Sequence, residues 1–414
     1  MTATRFWTTP VALVLLVARS TSVAGDWLFQ MALVWLVLEL TGSSQAVSLT
    51  GIAEAIPVVL VGLLGGHWLD RGGRLRLLAW LDLLRAVLVA LPVLLYSLGQ
   101  LSFWHLVVLS VLMTAANLLF TPGMQSTLPA LVPKEHLTRA HGLIDVTERV
   151  GRISGPGLAG VLSALMPVAG FFLVDSATFV ISAGAFLLLS LWARRAGTDA
   201  KVERKGPQPS RVQQLAAGFA FVREQAVIGR IILVRSLNNF AWAAYLVATP
   251  LLVAHSYGQA VGAWGLLVAA YAVGQLIGGM CASRVSSFKV PPLVLLSGGW
   301  LFTAFGFVVL GLSGTVWVGC LGLLLGGLGG PLAHVSTDGY LAANTPTELQ
   351  GRVFSLQYMT LKLVQMLGLA LAGVLCAYLA AGSVLVLAGA LMTLVSVTSL
   401  LFPIRRSTKE EVLT

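Results

Sequence analysis

Four polar residues share one face of the first long apolar segment. Arg19, Ser22, Asp26 and Gln30 recur at steps of three and four, the spacing that stacks side chains along one side of an α-helix. At the helical rise Asp26 lies roughly 24 Å into the segment, past its midpoint. Desolvation there works against the charge of a carboxylate, and any nearby arginine works for it. Two protonation states of similar energy are what a proton carrier needs. Glu54 in the second segment sits at a similar depth, and Asp175 in the sixth is a third carboxyl of this kind. Ionisable groups at mid-bilayer cost ~2.5–3.5 kcal/mol on insertion scales, so each is functional or half of an internal ion pair. For Asp26 the candidate partners are Arg19 and Arg235.

The second half of the chain offers cations. Arg235, Asn238, Asn239, Trp242 and Tyr245 form a polar and aromatic run along one side of the seventh segment, and Lys362 lies inside the eleventh. Arg235 or Lys362 would bind an anionic substrate, act as counter-ion to Asp26, or pair across the seam between halves. Together with Arg19, Gln30 and Asn117 these residues are the candidate lining of a substrate cavity. His334 and Asp338 stand one turn apart in the tenth segment. In the fifth, Asp145, Glu148, Arg149 and Arg152 make two i,i+4 acid-to-base pairs in the favourable direction. They lie near one membrane face and read as gate structure. Gly155-Pro156 follows, where proline removes a backbone hydrogen bond and glycine permits close helix approach.

The elements that hold these residues follow from composition. Of 414 residues, 57% are hydrophobic and 10% charged, against roughly 25% charged in soluble domains. A spanning helix takes about 20 apolar residues, and apolar runs fall near 10–38, 46–68, 76–98, 102–125, 141–166, 168–192, 228–254, 261–283, 291–312, 314–337, 353–379 and 382–402. Every second connection lacks Lys and Arg, whereas the others hold Arg71, Arg74, Arg76, Lys134, Arg139, Arg284, Lys289 and Arg352. The positive-inside rule therefore places both termini in the cytoplasm of a multi-pass cell-membrane protein, with twelve spans as the self-consistent count. The net charge of +10 is a topology signal, and no basic helix interleaved with aromatics suggests nucleic acid. Cys281, Cys320 and Cys376 lie in apolar runs and form no disulfide framework or metal motif. No cofactor or metal is expected.

The polar stretch 193–227 reads as a cytoplasmic linker between spans 1–192 and 228–402, with a cytoplasmic tail at 403–414. The two halves repeat. At an offset of 213 residues, Pro133, Glu135, Arg139 and Leu143 overlay Pro346, Glu348, Arg352 and Leu356. In the same register Gly65, Gly66 and Arg71 overlay Gly278, Gly279 and Arg284. Parallel six-span repeats are the architecture of carriers that rock two bundles about a central site.

The stretch Gly66-His-Trp-Leu-Asp70-Arg71-Gly-Gly73-Arg74 resembles the loop motif of the major facilitator superfamily. Gly151, Gly155, Pro156 and Gly160 in span 5 look like that superfamily's antiporter signature, with Ala159 where glycine is usual. Gly25-Asp26 and the run Phe120-Thr-Pro122 to Ala140 resemble its macrolide-efflux-like, drug:proton antiporter branch. The resemblance implies an all-α integral membrane fold. It comprises two six-helix bundles of twelve transmembrane helices, related by a pseudo-two-fold axis along the membrane normal. It also implies a cytoplasmic gate, which includes Arg71, in which Asp70 locks onto the start of span 11 at Arg352; Arg284 is then expected to pair with Asp145 or Glu148. The expected function is secondary efflux of amphipathic small molecules in exchange for protons by a monomer in lipid. The alternatives are export or flipping of a defined metabolite such as a siderophore or lysophospholipid, and nutrient symport. No H-E-x-x-H, G-x-S-x-G or P-loop pattern points to an enzyme.

Overall fold

A computed structural model describes residues 10–64, 74–132, 136–195, 211–258, 260–285 and 290–402. Among them every regular element is helical. In chain order they are α1 (Pro10–Thr41), α2 (Ser44–Leu64), α3 (Arg74–Ser97), α4 (Phe103–Leu131), α5 (Leu137–Leu162), α6 (Ala169–Arg195) and α7 (Arg211–Glu224). Then follow α8 (Ala226–Leu251), α9 (Val261–Val285), α10 (Pro292–Leu312), α11 (Val316–Gly327), α12 (Gly329–Asn344), α13 (Thr347–Tyr378) and α14 (Ala381–Leu401). Among the described residues ten stretches are long and apolar enough to cross a membrane. Two more helices, α2 with 21 residues and α5 with 26, reach spanning length.

Three departures from the sequence expectation have local causes. Helix α7 occupies the second half of the polar stretch expected to be linker. A Cβ at Gly218 would lie 3.1 Å from the Arg352 carbonyl oxygen, so α7 is seated against the start of α13. The tenth apolar segment is two helices, broken at Leu328 between glycine pairs Gly326-Gly327 and Gly329-Gly330. A Cβ at Gly327 would meet Tyr271 O at 2.3 Å, so α9 sits directly on the α11 backbone, an approach only glycine allows. Helix α13 starts at Thr347 rather than 353 and α5 at Leu137 rather than 141, because the polar first turns extend beyond the apolar run. Pro250, with no N–H to donate, precedes a π-turn over Leu252–Ser256 that ends α8.

The packing repeats between halves. In the first, α1 lies between α5 and α6, α3 between α4 and α6, and α2 on α4. In the second, α8 lies between α13 and α14, α10 between α14 and the α11–α12 pair, and α9 on α11. The halves meet through α5 with α9 and through α2 with α13. Within a bilayer apolar burial does not drive helices together, so such seams depend on close packing and hydrogen bonds. Trp104, Trp317 and Tyr378 are well exposed at 63%, 75% and 82%. All three sit at helix ends facing the connections that lack Lys and Arg, where aromatic rings suit a membrane–water interface.

Candidate functional site

Helices α1, α3, α4 and α6 enclose a polar cluster. Asp82 and Arg85 face inward from α3 and are both fully buried. Arg85 Nη1 donates to Asp82 Oδ1 at 3.3 Å, and its Nη2 donates to Asn117 Oδ1 on α4 at 2.8 Å. Ser182 on α6 donates to Asp82 Oδ2 at 2.6 Å. The guanidinium lies 4.4 Å from the Phe120 ring centroid and 5.5 Å from that of Phe179, so aromatic faces complete its shell. Asp175 on α6 is fully buried, and its Oδ1 accepts from Thr178 at 3.2 Å. Among the described residues its Oδ2 has no hydrogen-bond partner. Asp26 on α1 lies in the same field, within Coulombic reach of Arg85 and Arg19.

The ion pairs proposed for Asp26 are formed elsewhere. Arg19 Nη2 donates to Glu148 Oε1 at 2.8 Å. Arg235 donates to Asp338, to Thr337 Oγ1 at 3.3 Å and to His334 Nδ1 at 2.9 Å. Because Arg235 can only donate, His334 Nδ1 is the acceptor and any ring proton sits on Nε2. Glu148 is therefore not paired with Arg152, as the i,i+4 spacing suggested. Arg152 donates to Gln275 on α9 at 3.3 Å and lies over the Trp27 ring. A helix-surface pair is worth only a few tenths of a kcal/mol, so partners on neighbouring helices win. The side chains of Asp145 and Arg149 lie outside the described residues.

A second carboxyl bridges the halves. Gln30 Nε2 approaches Glu54 Oε1 at 3.4 Å. Lys362 on α13, which donates to Gln365 Oε1 at 3.1 Å, is within Coulombic reach of Glu54. Asn239 donates to the Leu361 carbonyl at 3.0 Å. Asn238 and Tyr245 are both buried. Asn238 is fully buried and donates to its own helix at Val234 O, while Tyr245 is stacked on Phe307 with centroids 5.4 Å apart. Trp242 is partly exposed beside Tyr245.

The glycine–proline stretch of α5 serves two seams. A Cβ at Gly151 would meet Val23 Cγ1 at 2.4 Å, and one at Gly155 would meet Trp27 Cβ at 2.4 Å, so this face holds α1. Pro156 and Gly160 turn to α9, where a Cβ at Gly265 would lie 2.4 Å from Pro156 O. At the same end Ser44 donates to Gly373 O at 2.9 Å and Ser48 to Leu369 O at 2.5 Å. Trp35 stacks on Trp264 with centroids 6.3 Å apart. The two halves are thus sealed together at the end that bears the uncharged connections.

The expected gate is only partly within reach. Gly66, Asp70, Arg71 and Gly73 lie outside the described residues. Arg74 opens α3 and Arg284 closes α9, but their side chains also lie outside them. Arg352 stands in the second turn of α13, under α7. Sequence reasoning missed Asp82 and Arg85. Their signal was an i,i+3 acid–base pair inside an apolar run, the same kind that drew attention to Asp26. Among the described residues no group of three or more His, Cys, Asp or Glu is placed to hold a metal ion.

Comparison with known proteins covers nearly all of the chain. The sequence profile described as transmembrane secretion effector, of the major facilitator superfamily, matches residues 7–413. Macrolide efflux protein A of Streptococcus pyogenes is 21% identical over 386 residues, covering 92% of each chain. Enterobactin exporter EntS of Shigella dysenteriae is 30% identical over 229 residues, 54% of this chain and 51% of that one. Among solved structures, a bacterial homologue of the iron transporter ferroportin in an inward-facing state superposes with a TM-score of 0.72 at 18% identity. It covers 96% of this chain and 99% of that one, and at this identity shows a shared fold.

Proposed function

Because the chain belongs to the transmembrane secretion effector family of major facilitators, we propose that it is a secondary carrier exporting amphipathic small molecules in exchange for protons. The twelve-span, two-bundle arrangement is part of this reading. It rests on the helix pairings, which recur in the same pattern in each half. With basic connections in the cytoplasm, the sealed end faces outside, and the arrangement is that of a carrier ready to load from within. Rocking would break the α2–α13 and α5–α9 seams at the outer end and close the inner end through Asp70, Arg71, Arg74, Arg284 and Arg352.

One observation carries the proton coupling. Asp26, Asp82 and Asp175 surround a single arginine, Arg85, while Arg19 is engaged by Glu148. Charges in a dry interior must be matched, and carboxylates that outnumber their cations hold protons instead. Movement of Asp26 between inner and outer access would let those protons in from outside. Glu54, between Gln30 and Lys362 on the seam, is the second coupling candidate. Drug-like compounds are the favoured substrates because the macrolide efflux relative aligns over nearly its whole length. Export of a defined metabolite is the second reading, favoured by the enterobactin exporter's higher identity over half the chain. The test is reconstitution in liposomes with an imposed pH gradient, using ethidium and erythromycin as probes. Uphill movement of either that collapses with the gradient supports the reading. Movement indifferent to the gradient overturns proton coupling.

A further inference from the structure

The buried cluster holds more acid than one transported proton accounts for. Asp175 is packed by α1 and α3, and among the described residues the charged groups acting on it are Asp26 from α1 and Asp82 and Arg85 from α3. Its own helix adds the Thr178 hydroxyl, which is shared between Asp175 Oδ1 at 3.2 Å and the Asp175 carbonyl at 2.8 Å. Oδ2 is buried with no donor among the described residues. An ionised carboxylate in that position would leave an oxygen unsolvated, whereas a neutral carboxyl leaves only an unused O–H, a far smaller penalty.

Charge balance assigns the rest. Asp82 accepts from both Arg85 and Ser182, at 3.3 Å and 2.6 Å, so it is the carboxylate that Arg85 neutralises. Arg19 and Glu148 neutralise each other at 2.8 Å. With Asp82 charged, the cluster is neutral only when Asp26 and Asp175 each hold a proton. A lone proton would leave it at one net negative charge, and none would leave two.

We propose that Asp175 carries a second exchangeable proton beside that of Asp26, so that the α1–α3–α6 cluster loads two protons in each transport cycle. The inference rests on the proton-coupled reading above. Loading forms one O–H bond on each carboxylate, and release returns both protons to water. Asp82 keeps its charge throughout as partner of Arg85. The route is short, because Asp175 Oδ1 lies over the α1 backbone at Gly25, the residue preceding Asp26.

Infrared spectroscopy of the purified full chain reads the proton directly, without substrate. At neutral pH, Asp175→Asn should remove one protonated-carboxyl C=O band, and Thr178→Val, which deletes only the hydroxyl donor, should shift that same band. Equal carboxyl absorption in wild type and Asp175→Asn, or a band unmoved by Thr178→Val, overturns the assignment. In liposomes, the proton-to-ethidium ratio measured from the balance point of opposing gradients should fall from two to one in Asp175→Asn. A ratio unchanged by the substitution sinks this inference while leaving proton coupling standing. Complete indifference of wild type to the gradient sinks the coupling itself, and the infrared band still decides whether Asp175 is protonated.

Discussion

The carboxyl of Asp175 on α6 rests on the backbone of Gly25 on α1, so closely that a Cβ at position 25 would fall 2.2 Å from Asp175 Oδ1 and 2.2 Å from Thr178 Oγ1. A glycine is required there because the acid of one helix occupies the space of the other's side chain. Gly25→Ala should therefore displace the carboxyl or part the helices. Overpacking of this kind costs ~1–3 kcal/mol, so thermal unfolding in detergent should fall by several degrees. Adding Thr178→Ala to Gly25→Ala should recover part of that loss. An unchanged unfolding temperature in the single variant contradicts the close approach.

Two buried arginines predict a ranking. The Asp82 and Arg85 side chains are both fully buried, whereas Asp338, the partner of Arg235, has a side chain 47% exposed. Removing one member of an enclosed pair leaves an uncompensated charge at a cost of ~3–5 kcal/mol. A solvent-reached pair loses at most about 1 kcal/mol. Asp82→Asn should destabilise much more than Asp338→Asn in the same unfolding measurement. Equal effects contradict the enclosure of the first-half cluster.

The outer seal predicts a conformational shift. Gly265 meets Pro156 O with no room for a side chain, its Cβ position being 2.4 Å away. Gly265→Val should separate α9 from α5 and populate the outward-open state. With Cys281, Cys320 and Cys376 replaced by serine, spin labels at Ser43 and Leu379 report the gap between α2 and α13. A longer-distance population should grow in the variant, and an unaltered distribution contradicts the seam.

The basic loop after α2 makes a converse prediction. If Asp70 locks the inner gate onto the start of α13, Asp70→Asn should raise the reactivity of a cysteine placed at Phe354, inside that gate. Equal labelling in both backgrounds contradicts the lock.

How much of this was legible in the chain itself differs by residue. The spans are readable because a helix must bury its backbone polarity over a fixed thickness, so apolar length alone marks them. The seams are readable at Gly155-Pro156, since their residue types exist for close packing. Helix α7 is hidden because Gln213, Gln214 and Arg211 look like linker, and it is its packing on α13 and α8 that holds it in place. The Asp26 neighbourhood is hidden for a different reason. Its members are separated by 100 residues or more, as in the Ser182–Asp82 and Arg19–Glu148 hydrogen bonds. A single sequence shows that Asp82 and Arg85 are costly, but which helix satisfies them is decided by tertiary packing. Glu148 illustrates the same point: its spacing favours Arg152, and the fold gives it Arg19.

Proton coupling through Asp26 is decided by comparing two proteins. Wild-type protein and Asp26→Asn are reconstituted in liposomes at equal density, and ethidium movement is followed under an imposed pH gradient and without one. Gradient-driven accumulation is expected in wild type and its loss in Asp26→Asn, with downhill ethidium exchange retained. Full gradient-driven accumulation in Asp26→Asn would contradict that coupling.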